Sequence, residues 1–285
     1  MQAAENKKFI DIDAIFKSKN PRLYRFLPGL LFSYLKRVTH QAEINSFIDR
    51  HGHKQEFEFV DAIVEEFGAK IGVEGIEHIP KTGGCVFASN HPLGGLDAMA
   101  LVHVISRVRK DIRFVVNDIL LQLKNLSGIF IGVNKHGKNS PDIYNSLDEL
   151  YASGNGVLIF PAGLVSRKQN GQIVDLEWKK SFITNARKHG IPVVPVYIEG
   201  KNSEFFYNFS SFRKRVGIKA NIEMLYLADE MYRQKNKTIT VIFGKPIPAS
   251  FFETEYPDKK WAQLVKEHVY KLPGGGHHQV MTAPK

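Results

Sequence analysis

A histidine and an aspartate stand six positions apart in Ser89-Asn90-His91-Pro92-Leu93-Gly94-Gly95-Leu96-Asp97. An apolar run precedes the segment and an amphipathic helical pattern follows it. Imidazole titrates near neutrality, so it can take the proton of a weak hydroxyl nucleophile as that oxygen attacks an acyl carbonyl. A carboxylate on the other ring nitrogen fixes the tautomer and stabilises the imidazolium that forms. The Gly94-Gly95 turn is permissive enough to let the two side chains meet across five intervening residues. A plainer reading exists, in which Asp97 caps its helix and His91 is an ordinary loop histidine. Spacing alone leaves both open.

Such a pair needs rigid elements on either side. From Ile71 onward, short apolar runs alternate with helical patterns. Strands are predicted at 71–76, 85–89, 112–116, 157–160, 193–198, 220–227 and 238–243. Helices are predicted at 97–108, from 141 to Gly154, at 178–189 ending on Gly190, and at 257–272. Alternation of this kind implies an α/β fold: a mixed, largely parallel sheet flanked by helices, with a helical extension before it. The last two predicted strands lie close together in sequence, which points to antiparallel neighbours at the end of the sheet. In open sheets of this class, ligands gather at the carboxyl ends of the strands, where His91 falls.

Further segments sit at the same sheet end. Phe160-Pro161-Ala162-Gly163-Leu164-Val165-Ser166-Arg167 follows one strand, Gly128-Ile129-Phe130-Ile131-Gly132 precedes Lys135, and Ile191-Pro192-Val193-Val194-Pro195-Val196 leads another. Together with the His-Asp segment, this order resembles the four blocks of the glycerolipid (lysophospholipid) acyltransferase superfamily, over about Val73 to Ile247. The resemblance implies a helix-flanked sheet with membrane-binding N-terminal helices. It also implies transfer of an acyl group from an acyl carrier protein or coenzyme A thioester to a lysolipid hydroxyl. His91 is then the general base and Asp97 its orienting partner. No cofactor is expected beyond the thioester co-substrate, and no metal. Asn90, Gly94, Gly95, Lys135, Phe160, Pro161, Gly163, Arg167 and Lys179 are the expected substrate-binding residues. Lys135, Arg167 and Lys179 are candidates for an acceptor carboxylate or a carrier phosphate, and N–H groups near Gly163 or the Gly94-Gly95 turn for the oxyanion.

The departures from the blocks are informative. Five residues separate His91 from Asp97 where the superfamily usually has four. Ala162 and Val165 stand where Glu and Arg usually handle a phosphorylated glycerol, and Val133 stands where the second block usually ends in Arg. These losses turn the expectation away from lysophosphatidic acid. The sequence looks more like the haemolysin-like branch, which includes O-acyltransferases that finish ornithine and glycine lipids from their lyso forms. An acyl-amino-acid lysolipid is therefore the expected acceptor. Lysophosphatidic acid is the nearest alternative, and a non-catalytic lipid-binding protein of the same fold is another.

The bulk numbers bound the setting. The chain has 285 residues, with 39 Lys and Arg against 29 Asp and Glu, a net charge of +10. Such a field attracts anionic lipid or nucleic acid, but no nucleic-acid-binding motif is present and no nucleic-acid partner is expected. No apolar run is long enough to span a bilayer, and Met1 to Lys8 has no apolar signal core. Peripheral attachment to the cytoplasmic face of the inner membrane is expected. Residues 1–68 are read as a helical segment, 69–272 as the α/β domain and 273–285 as a flexible tail. Within the first, Leu27–Leu35 is apolar and flanked by Arg22, Arg25, Lys36 and Arg37; it suits an interfacial anchor or a packed core helix. His51 and His53 lack a third metal partner. The single Cys85, in an apolar run, reads as a core residue. Gly-x-Ser-x-Gly is absent, and so is the full phosphate-binding loop Gly-x-x-x-x-Gly-Lys-Ser/Thr: Gly132 to Lys138 has its glycines and lysine, but Asn139 follows.

Overall fold

A computed structural model describes residues 8–19, 21–117, 120–133, 141–253 and 256–282. Five helices come first: α1 (Ile12–Lys19), α2 (Pro21–Phe26), α3 (Gly29–Val38), α4 (Gln41–His51) and α5 (Glu56–Glu66). The rest alternates strands and helices: β1 (Lys70–Glu74), β2 (Cys85–Ser89), α6 (Gly95–Ile105), β3 (Ile112–Asn117), β4 (Phe130–Val133), α7 (Pro141–Ala152) and β5 (Gly156–Ile159). There follow β6 (Arg167–Gln169), β7 (Gln172–Val174), α8 (Ser181–His189), β8 (Val193–Ile198), α9 (Glu204–Arg215), α10 (Leu227–Tyr232), β9 (Thr238–Phe243) and α11 (Asp258–Val269).

Seven strands form one sheet in the order β1-β9-β8-β2-β5-β3-β4. Neighbours run parallel except β8 and β9, which pair antiparallel through Val196–Phe243 and Ile198–Val241. The fold is thus α/β with a mixed, largely parallel sheet. β2 lies at its centre and all five of its residues are buried, as a strand covered on both faces must be. Side chains alternate along it. Cys85 and Phe87 join α5 and α6 on one face; Val86 and Ala88 join Trp178, Phe182, Trp261 and Val265 on the other. Because β2, β3 and β5 are parallel, the segments leaving their carboxyl ends converge on one edge.

The N-terminal helices divide between core and surface. α5 buries Phe59, Val60, Ala62 and Val64 in the same cluster as α6. In α3, Phe32 is buried against Phe16 and Tyr24, with ring centroids 5.3 and 4.9 Å away, while Leu30 on the same helix is 84% exposed. Among the described residues no helix is long and apolar enough to cross a membrane.

Several elements differ from the sequence reading. Residues 220–227 do not form a strand; Ile222–Tyr226 is a 3-10 turn leading into α10. The alternating apolar residues there are only half-buried, and the side chain that goes inside is Glu223. The antiparallel neighbour of β9 is consequently β8. The hairpin β6–β7 turns at Asn170 and Gly171, both with positive φ (49° and 81°), so an Asn-Gly hairpin signal was there to be read. Helix α9 starts at Ser203, whose hydroxyl accepts the Phe206 N–H. Residues 273–282 are not a loose tail. The His277 N–H donates to the Leu272 carbonyl at 3.1 Å, and His277 and Met281 are buried. The glycine run turns the chain back so that these side chains cover the sheet.

Candidate active site

His91 leaves the end of β2 and its side chain is held on two sides. Nδ1 lies 2.9 Å from Asp97 Oδ2. Phe160, leaving the end of β5, stacks on the imidazole with centroids 4.0 Å apart and planes 15° apart. Phe114 of β3 packs edge-on against Phe160 at 5.1 Å. The carboxylate as acceptor requires Nδ1 to carry the proton, so Nε2 is the nitrogen that can act as base.

Asp97 is fully buried and sits at the third position of α6. Its Oδ2 also accepts the main-chain N–H groups of Leu93 (2.8 Å) and Gly94 (3.2 Å), and Oδ1 accepts that of Ala98 (2.8 Å). The two readings of Asp97 are therefore one arrangement: the carboxylate caps the start of α6 and holds His91 with the same oxygen. The turn between them needs Gly94, whose φ is 91°, and a Cβ there would lie 3.3 Å from Leu227 Cδ2.

The main chain of His91 is fixed as well, by residues that the sequence reading did not select. Its N–H donates to Asp175 Oδ1 (3.2 Å), and its carbonyl accepts the Ser166 N–H (2.8 Å). The Ser166 hydroxyl lies 2.6 Å from Asp175 Oδ1 and 3.2 Å from the His91 carbonyl. Trp178 Nε1 donates to Asp175 Oδ2 at 2.9 Å. Burial pushes the Asp175 carboxyl above its ordinary value, against the pull of Ser166 and Trp178. The Asp175 N–H donates to the Tyr270 hydroxyl (2.8 Å), and Lys266 Nζ donates to the Asp175 carbonyl (2.6 Å). Ser166 stood within a recognised block. Asp175 is a lone acid after a short hairpin, and no spacing marked it.

His91 opens onto a cavity of about 1350 Å³, large for a single small ligand. One part is apolar and runs under α4, α5 and α6, past Phe47, Ile63, Phe67, Met99 and Phe130. Another is polar, lined by Lys179, Lys180, Thr184, Asp148 and Lys188. Lys188 is paired with Asp148 at 2.5 Å. A third side is closed by Met224, Leu225 and Leu227.

Of the residues selected from the sequence, Gly94, Gly95, Phe160, Pro161, Gly163 and Lys179 line this cavity with His91. Lys135 lies outside the described residues. Asn90 does not face the cavity. It is buried, and its amide bridges to β8, donating to the Ile198 carbonyl (2.9 Å) and accepting the Ile198 N–H (2.7 Å). Arg167 also points elsewhere. Its guanidinium is buried, 3.0 Å from Glu223 Oε1, while Arg213 Nε lies 2.7 Å from Glu223 Oε2. Committed to Glu223, Arg167 has no charge left for an acceptor. The N–H of Gly163 donates to the Phe160 carbonyl (2.9 Å) and that of Gly94 to Asp97, so neither can hold an oxyanion. Among the described residues no cluster of His, Cys, Asp or Glu could hold a metal ion. Cys85 lies in the core, its thiol pushed up to about 12 by burial.

The model of the family described as "Acyltransferase" matches residues 14–274. The chain belongs to the acyltransferase family. Two curated relatives carry the name lyso-glycine lipid O-acyltransferase. One, from Phocaeicola vulgatus, is 44% identical over 92% of this acyltransferase and 95% of its own length. The other, from Bacteroides thetaiotaomicron, is 45% identical over 92% of this chain and 97% of its own. Among solved structures, the 1-acyl-sn-glycerophosphate (LPA) acyltransferase PlsC from Thermotoga maritima is similar over 85% of this chain and 95% of that one, at 18% identity and a TM-score of 0.48.

Proposed function

We propose that this acyltransferase moves a fatty acyl group from an acyl carrier protein or coenzyme A thioester to the hydroxyl of an acyl-amino-acid lysolipid. The reaction takes place at a membrane surface, on the cytoplasmic face of the inner membrane. The observation that carries the reading is the 2.9 Å contact of His91 Nδ1 with Asp97 Oδ2 at the wall of a largely apolar cavity.

In this reading the acceptor hydroxyl gives its proton to His91 Nε2 as its oxygen attacks the thioester carbonyl carbon. A carbon–oxygen bond forms, and negative charge moves to the carbonyl oxygen. The N–H of Gly95, which opens α6 and lines the cavity outside the cap made by Asp97, suits that charge. Collapse then breaks the carbon–sulfur bond, and the imidazolium returns its proton to the leaving thiolate. The products are an ester and a free thiol, with no acyl-enzyme. The apolar limb beneath α4 and α5 takes the acyl chain. Lys179 and Lys180 at the polar limb face the acceptor carboxylate.

The acceptor class is supported by two relatives named for lyso-glycine lipid at 44% and 45% identity. It is also supported by Ala162 and Val165 at positions where a phosphate-handling site needs charge. The experiment offers each thioester with lyso-glycine lipid, lyso-ornithine lipid and lysophosphatidic acid, and follows diacyl product by mass and thiol release by absorbance. The lyso-amino-acid lipid should be acylated by the native protein and not by His91→Ala. Acylation of lysophosphatidic acid alone, or turnover by His91→Ala equal to the native rate, overturns the proposal.

A further inference from the structure

Beside the cavity, α9 and the segment after it leave large apolar side chains in water. Phe205, Phe212, Val216, Ile218 and Leu225 are between 42% and 60% exposed. Exposed apolar surface that gathers in one patch marks a binding surface. Lys214, Arg215 and Lys219 are exposed among them, and residues 205–222 contain no Asp or Glu.

The patch is built and held from below. Arg213 is buried; its guanidinium donates to the Ile218 carbonyl (2.7 Å) and Asn221 Oδ1 (2.9 Å) while facing Glu223. That anchor fixes the bend between α9 and the 3-10 turn, so Phe212, Val216 and Ile218 stay outward. Phe205, Phe209 and Tyr226 form an aromatic cluster beside it, with centroids 5.1 to 5.7 Å apart.

Two continuities decide what covers the patch. Tyr226 Oη lies 2.7 Å from Tyr34 Oη of α3, the helix that exposes Leu30 at 84% and follows Phe26 at 85%. Arg22, Arg25 and Arg37 are exposed around those residues. In the other direction, Leu225 is both exposed and part of the wall of the cavity that holds His91. Apolar side chains ringed by cations, next to the mouth of a largely apolar cavity, match an anionic bilayer: acyl chains receive the former and headgroup phosphates the latter.

We infer that α9 and residues 216–226 are a second bilayer-contacting lip beside α3. It seats Phe212, Val216 and Ile218 among the acyl chains and sets Leu225 at the lipid level. The lysolipid then reaches His91 sideways from the membrane, without crossing water. This rests on the lipid acceptor proposed above. An acidic carrier protein would use the cations but leave most of the apolar surface uncovered.

The test uses the full chain with phosphatidylcholine vesicles, with and without phosphatidylglycerol. Native protein should co-float with the anionic vesicles. Phe212→Asp with Ile218→Asp, and separately Lys214→Glu with Arg215→Glu, should weaken flotation by about tenfold or more. Both should keep native turnover on detergent-dispersed lysolipid. In Phe212→Trp the added fluorescence should shift to the blue on vesicle binding. Flotation of both variants equal to native, or no blue shift, overturns the inference. So does loss of transfer from acyl carrier protein but not from coenzyme A with flotation intact, which assigns the patch to the carrier. Native protein that turns over detergent-dispersed lysolipid but floats with no vesicle overturns the lip and the membrane setting, and leaves acyl transfer to the lysolipid standing. Failure of native turnover in detergent instead removes the reading beneath it.

Discussion

Asp175 Oδ1 accepts the main-chain N–H of His91 at 3.2 Å from 84 residues further along the chain. The imidazole is therefore aimed by two carboxylates, Asp97 at the ring and Asp175 at the backbone. In Asp175→Asn one oxygen becomes a donor, and either the Trp178 N–H or the His91 N–H is left unpaired at about 1–3 kcal/mol. We expect kcat to fall about tenfold or more while KM for both substrates holds. An equal rise in KM with kcat unchanged would show that the residue only shapes the pocket.

The His91–Asp97 pair should behave as a unit. His91→Ala should cost about 10²- to 10⁴-fold in turnover. Asp97→Asn should cost a similar factor by presenting the wrong tautomer. Because both changes remove the same base, the double variant should be little worse than either single one. Multiplying losses in a steady-state comparison would mean the two act separately.

Met99 lies on α6 in the apolar part of the cavity. Met99→Trp fills that limb and should move acyl preference towards shorter thioesters, with turnover on the shortest donors kept. Competition between donors of two chain lengths, read by product mass, checks this; an unchanged ratio places the chain elsewhere.

Lys179 is exposed at the polar limb. Lys179→Glu should raise KM for an acceptor carrying a carboxylate about tenfold, with less effect on a zwitterionic acceptor. Equal KM values for both acceptors in this variant would remove Lys179 from headgroup recognition.

Glu223 sets an acid limit on stability. Burial opposes its charge, but its main-chain N–H and the guanidiniums of Arg167 and Arg213 prevail and hold it below the ordinary 4.5. A lowered acid stabilises fully above 4.5 and loses that contribution as pH falls through its folded value. Asp175, shifted upward, runs the other way: its burial cost is relieved on protonation, so it favours the fold as pH falls. Glu223→Gln should lose about 3 kcal/mol at neutral pH, by stranding two buried guanidiniums, and should flatten the acid limb. Urea unfolding at a series of pH values measures both.

The sequence reading succeeded where one element carried its own signal. β2, β8 and β9 are apolar runs with clear ends, and their predicted bounds agree with the structure. The meeting of His91 with Asp97 was legible because helix start, glycine turn and carboxylate lie within one short segment. What was not legible depends on distant partners. Nothing local says that Asn90 will bridge to Ile198, or that Arg167 will be claimed by Glu223, 56 residues away. The same is true of Asp175, whose role exists only once the β6–β7 hairpin folds back on β2. The error at 220–227 has the same origin: alternating apolar residues read as a strand until the buried guanidiniums drew Glu223 inward.

Cys85 is the only cysteine in the chain, and it lies wholly in the core. In the proposed reaction each turnover releases a thiol, and a sulfhydryl reagent that counts it should meet no competing background from the native protein. The same inertness makes the natural chain its own labelling scaffold: a cysteine placed at Ile218 or Leu30 becomes the sole position able to take a spin label or dye.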